Sequence, residues 1–162
     1  PALLSMSAPA LALSDDIHQI EGRIEELGVR VLWSKGNKAC KEEGLLGKYI
    51  KTERTIYMCQ ENLHYSNSPI LPTLQHEAWH AVQDFCNEGN AALSDEKIRS
   101  LISAKDRRII QNHYPQSQWR SEAEARAVEF VPAKSFLNAI DYYCQKLEKK
   151  THKSDKLKKK VR

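Results

Sequence analysis

At 162 residues and 18.6 kDa, the chain has room for one domain with a real core, and two full domains would be a squeeze. Hydrophobic residues make up 41% and charged residues 28%, which is ordinary for a globular protein. Net charge is +4, but nine Lys/Arg against two acids between Lys146 and Arg162 make that tail +7 and leave the body near −3, so the basic balance says nothing about the body's chemistry.

The first residues, Pro1 to Ser14, carry no charge, and Ala10-Leu11-Ala12 fits an A-x-A cleavage site. Residues 1–13 read either as the end of a secretory signal or as a plain N-terminal arm; they are too short and too broken by Pro9 to span a membrane. Ser14, followed by Asp15 and Asp16, predicts a helix start, with Ile17, Ile20, Ile24 and Leu27 on one face and Gly28 as its stop. Val29 to Trp33 reads as a strand, and Ser34 to Gly47 as a polar, turn-rich stretch. Lys48 to Lys51 and Thr55 to Cys59 predict two short antiparallel strands, and Gln60 to Pro72 a loop.

A helix is expected from Pro72-Thr73 to about Asn87. A second should run from a Ser94 cap to about Gln111, with Ile98, Leu101, Ile102 and Ile109 inward. A third covers about Gln118 to Val131, and a fourth Ala133 to about Lys149. The body, 14–149, is read as one α+β domain with about three strands and a helical second half. The tail, 150–162, has the composition of a disordered segment. Its lysines allow an electrostatic nucleic-acid contact, but interleaved aromatics are missing and a solvated tail is the commoner case.

Four cysteines, Cys40, Cys59, Cys86 and Cys144, show no C-x-x-C spacing, which argues against a cysteine metal site or redox motif. Cys40 and Cys59 flank the predicted strand pair and form the first pairing to consider, leaving Cys86 for Cys144; four buried thiols are the alternative. Two disulfides would favour an exported protein over a cytoplasmic one.

The chemistry concentrates in His76-Glu77-Ala78-Trp79-His80. Histidines four apart stack on one helix face and can converge on a single metal. Glu77, rotated by about 100°, can face a metal-bound water as general base. Such an H-E-x-x-H helix reads as a zinc site for hydrolysis. A catalytic zinc wants a third protein ligand. The metzincin extension would need Gly at 83 and His at 86, where this chain has Gln83 and Cys86, so the ligand must come from elsewhere. Glu122 heads an E-x-x-A pattern on a later helix, with Glu124 as its rival.

Here the chain resembles the gluzincin peptidases, and most closely the small gluzincins and ImmA/IrrE-type peptidases. Gly47-Lys-Tyr49, Ile56-Tyr-Met58, the H-E-x-x-H pentad and the stretch from Glu122 to Pro132 carry the resemblance, which covers roughly residues 44–135. It implies a zincin-like fold with one zinc on His76, His80 and Glu122, and a peptide or protein substrate. It also implies that Ala125 lets two helices approach. Arg126 departs from the pattern, standing where the family has the Asp or Asn that orients a metal histidine; that task must pass to another residue, such as Glu129 or a backbone carbonyl, or go undone. His113 and Tyr114 are candidates to steady the oxyanion. Strand Thr55–Cys59 is expected to hold an extended peptide by its edge. A zinc-bearing domain that binds without turnover remains the alternative function.

Overall fold

The computed structural model describes residues 8–66 and 70–145. Helix α1 (Ala8–Glu26) leads into β1 (Arg30–Ser34), β2 (Gly47–Ile50) and β3 (Thr55–Cys59). Helices α2 (Gln60–Ser66), α3 (Ile70–Cys86), α4 (Asp95–Leu101), α5 (Ala104–His113) and α6 (Trp119–Val128) follow, and α7 spans 133–145. The architecture is α+β: a three-stranded mixed sheet with helices over it and a helical second half.

Helix α1 starts six residues ahead of Ser14, so Ser14 lies inside it and residues 8–13 are helical. Alanine and leucine are strong helix formers, and proline is tolerated in a first turn, where its missing N–H costs nothing. Ile20 and Ile24 are fully buried, and Gly28 ends the helix at φ 81. The Gly28 N–H reaches the Glu25 carbonyl at 2.8 Å and the Val29 N–H the Ile24 carbonyl at 3.3 Å, a pair of bonds that closes the last turn.

The sheet order is β1-β3-β2, with β1 parallel and β2 antiparallel to β3. All five residues of β3 are buried. This corrects the expectation that Thr55–Cys59 is an edge: β1 and β2 occupy both of its sides, and its backbone groups are committed to them. Among the described residues β2, which lies beside the H-E-x-x-H helix, has a strand on one side only.

Two further expectations give way. Residues 60–66 form α2 rather than loop, with Leu63 buried and Asn62 Nδ2 donating to the carbonyls of Glu42 at 3.2 Å and Leu45 at 2.8 Å. Ser94 caps a helix as expected, accepting from the Lys97 N–H, but that helix ends at Leu101. Ser103 and Asp106 form a capping box that starts α5 anew. The break leaves Ile98, Ile102 and Ile110 buried, Ile109 half-buried and Leu101 exposed.

Helix α3 runs through the core, in contact with α1, the sheet and α6. Leu74, Ala78, Trp79, Ala81 and Val82 are fully buried. Trp79 meets Phe136 and Tyr143 of α7 with ring centroids 5.7 and 5.8 Å apart. Ala125 of α6 has no exposed surface, in keeping with a close approach to α3. Disulfides join Cys40 to Cys59 and Cys86 to Cys144, the pairing expected. The second ties the end of α3 to α7. Among the described residues, no helix is long and apolar enough to cross a membrane. The expected tail, 150–162, lies outside the described residues.

Candidate metal centre

His76 and His80 project from one face of α3 with their Nε2 atoms 3.3 Å apart. Each Nδ1 faces away, to an acceptor. His76 Nδ1 meets Glu129 Oε2 at 2.9 Å, and His80 Nδ1 meets Gln83 Oε1 at 2.9 Å. The orientation of the Gln83 amide follows from its other end, where Nε2 donates to the Ser121 carbonyl at 3.0 Å and to Glu124 Oε2 at 2.6 Å. Both of those partners only accept, so the oxygen must face His80. A neutral imidazole that donates from Nδ1 carries its lone pair on Nε2, which is the ligating form.

Glu122 reaches the same point from α6. Its Oε2 lies 3.4 Å from His76 Nε2 and its Oε1 3.4 Å from His80 Nε2. Ligands about 2.0–2.2 Å from a tetrahedral zinc stand about 3.3–3.5 Å from one another, so all three separations fit. Glu122 Oε2 is buried and makes no hydrogen bond. A buried carboxylate with one oxygen toward each imidazole Nε2, one of those oxygens orphaned, is a donor set that a cation completes. His76, His80 and Glu122 form a buried group that could hold a metal ion.

The electrostatics agree. Burial opposes charge on His76, but the neighbouring carboxylates of Glu122 and Glu129 outweigh it and raise its pKa to about 9. His80 is also raised: burial works against its charge, and Glu122 overcomes it. For Glu122, burial pushes upward, yet the two histidines hold it down to about 2. Without a cation, then, the carboxylate is ionised and the positive charge is supplied by the histidines themselves.

Glu77 is not in the ligand group. It faces the cleft beside His76, and its Oε2 accepts the Tyr49 N–H of β2 at 2.7 Å. That close approach requires Gly47: a Cβ there would stand 2.9 Å from Glu77 Cγ and 3.0 Å from Thr73 Cγ2. Glu124, the rival ligand, is turned away by its two-residue offset of about 200° on the helix. It is fully buried, and its carboxylate accepts from Gln83 and from the Leu93 N–H. It therefore supports His80 at one remove, through Gln83.

Arg126 donates from Nη1 to Glu129 Oε1 at 3.2 Å, while Glu129 Oε2 holds His76. The orienting acid is thus Glu129, three residues beyond the position where the resemblance expects it. Tyr114 and His113 both line the cleft, which has a volume of about 880 Å³. Tyr114 is half-buried, and burial together with the Glu122 charge pushes its phenol up to about 12. His113 is exposed. Sequence reading missed the roles of Gln83 and of the Tyr49 N–H. The first was signalled by an amide three residues after a candidate ligand histidine on the same helix; the second is a contact between distant segments with no local signature.

No family model, curated protein or solved structure matches the chain.

Proposed function

We propose that the chain is a zinc-dependent peptidase of zincin-like architecture. The convergence of His76 Nε2, His80 Nε2 and Glu122 at mutual distances of 3.3–3.4 Å, with Glu77 alongside, carries the reading. Two imidazoles and a carboxylate are a donor set that suits zinc and leaves a fourth position open. Bound zinc would polarise the scissile carbonyl and lower the pKa of a coordinated water.

The chain's own residues do the rest. Glu77 takes the proton of the attacking water and passes it to the leaving amine. The Tyr49 N–H fixes the Glu77 carboxylate so that its second oxygen meets the water. Tyr114, protonated at neutral pH, donates its hydroxyl hydrogen to the oxygen that gains charge as the carbonyl is attacked. His113 sits at the cleft rim, where it meets substrate rather than the reacting atoms. Apart from the Tyr49 N–H, which Glu77 occupies, the outer edge of β2 offers backbone groups to an extended peptide. The two disulfides fit an oxidising compartment, and we place the activity outside the reducing cytoplasm.

Metal content and peptide hydrolysis measured together on the wild type and on Glu77→Gln test this reading. One zinc per chain in both, with cleavage only by the wild type, is the expected result. Zinc in both with cleavage by neither would leave a binding domain, and no zinc after reconstitution would end the proposal.

A further inference from the structure

Beside the metal group lies a smaller recess of about 280 Å³, reached from His76 and Glu77 and walled by Leu45, Leu46, Pro72 and Phe130. Phe130 is 71% exposed at its rim. Into this recess α6 sends Arg126, one turn beyond Glu122, an axial advance of about 6 Å. The Arg126 side chain is 28% exposed. Among the described residues its hydrogen bond, from Nη1 to Glu129, is single rather than forked, and its buried Nε–H has no partner.

A guanidinium offers its donors as a planar fork that matches a carboxylate. Here the fork lies beside the chemistry, and the acids nearest to it are already engaged. Glu129 is held between His76 and Arg126, Glu77 by the Tyr49 N–H, and Asp106, which also feels the Arg126 charge, by the N–H and hydroxyl of Ser103. Clamping Glu129 accounts for one nitrogen of Arg126 and leaves the orphaned Nε–H unexplained.

We propose that Arg126 binds a carboxylate of the substrate, so that the enzyme selects peptides bearing a carboxylate next to the cleaved bond. The group is either the peptide's own C-terminal carboxylate or an acidic side chain, with the neighbouring apolar walls taking the rest of that residue. This rests on the zinc-peptidase reading for its catalytic meaning, while the carboxylate site itself can be tested without turnover.

Three probes are titrated into the zinc-treated full-length chain: acetyl-leucine, acetyl-leucine amide, and the diamide-free side-chain acid acetyl-glutamate α-amide. The Arg126 Nε–H NMR signal reports binding, and zinc stoichiometry is measured on the same samples. At least one acid should move this signal with a Kd about 10- to 100-fold below that of the amide, the range for a hydrogen bond to a charged group. A response to acetyl-leucine identifies the terminal carboxylate, and a response to the glutamate probe an acidic side chain. In Arg126→Gln the preference should vanish at unchanged zinc content. Equal binding of acids and amide, or no binding of any probe, overturns the proposal, as does an acid preference that survives in Arg126→Gln. Should that variant not fold, the wild-type comparison of acid and amide decides alone. A chain that takes up no zinc yet shows the acid preference at Arg126 would keep this site and remove the peptidase reading.

Discussion

His76 Nδ1 and Glu129 Oε2 lie 2.9 Å apart across 53 positions of sequence, and the other Glu129 oxygen is held by Arg126. The bond sets which His76 nitrogen carries the proton and turns Nε2 toward His80 and Glu122. Glu129→Gln keeps an oxygen that can accept but removes the charge. Zinc affinity, read by competition with a chromophoric chelator, should fall about 10- to 100-fold, whereas His76→Ala should lose specific binding. Wild-type affinity in Glu129→Gln would show that this contact does not orient the ligand.

Gly47 is the tightest point between β2 and α3. An added methyl would meet Glu77 Cγ at 2.9 Å and Thr73 Cγ2 at 3.0 Å, so one of these side chains must shift. Glu77 lies outside the ligand group, so on the proposed peptidase reading Gly47→Ala should leave zinc binding intact while reducing kcat. A displacement near 1 Å at a catalytic group can cost about 100-fold. Equal kcat in Gly47→Ala and wild type would mean that the Glu77 position is not critical.

The histidine shifts give the metal site a pH dependence. A raised pKa keeps His76 protonated past neutrality in the metal-free chain, with half-protonation at pH about 9. Zinc must displace that proton, so affinity should climb with pH through the neutral range, about tenfold per unit for each proton displaced. Glu122, at about 2, is ionised throughout and contributes nothing to this slope. NMR titration of the metal-free chain should place the His76 midpoint well above that of an ordinary histidine; a midpoint below 6.5 would contradict the ion-pair description.

The two disulfides should differ in weight. Cys86–Cys144 closes a separation of 58 residues and Cys40–Cys59 one of 19. Chain-entropy reasoning assigns them about 4 and about 3 kcal/mol respectively. Thermal unfolding of the paired alanine variants should therefore show the larger loss for Cys86/Cys144. That variant should also weaken zinc binding more, because this bond joins the end of the histidine helix to α7. The opposite order would mean that native packing, rather than loop length, sets the contribution.

Local rules were readable wherever the determining partners are near in sequence. The i, i+4 spacing put His76 and His80 on one face, the isoleucines of α1 marked its buried stripe, and Gly28 ended that helix through a conformation glycine adopts without strain. The capping box at Ser103 and Asp106 was equally local, but a continuous apolar pattern from Ile98 to Ile110 concealed the break.

What the tertiary structure alone decided involves rotation and pairing between distant segments. Glu122 and Glu124 are chemically identical two residues apart, and only the setting of α6 against α3 sends one to the histidines and the other to Gln83. Strand order is of the same kind. Thr55–Cys59 has the composition of any half-buried strand, and it became central because β1 and β2 both pair with it. Sequence spacing by itself determined which helix carries the histidine pair, since one turn of α-helix fixes that geometry; the packing of α6 and the sheet determined what completes it, since those contacts depend on the whole core closing at once.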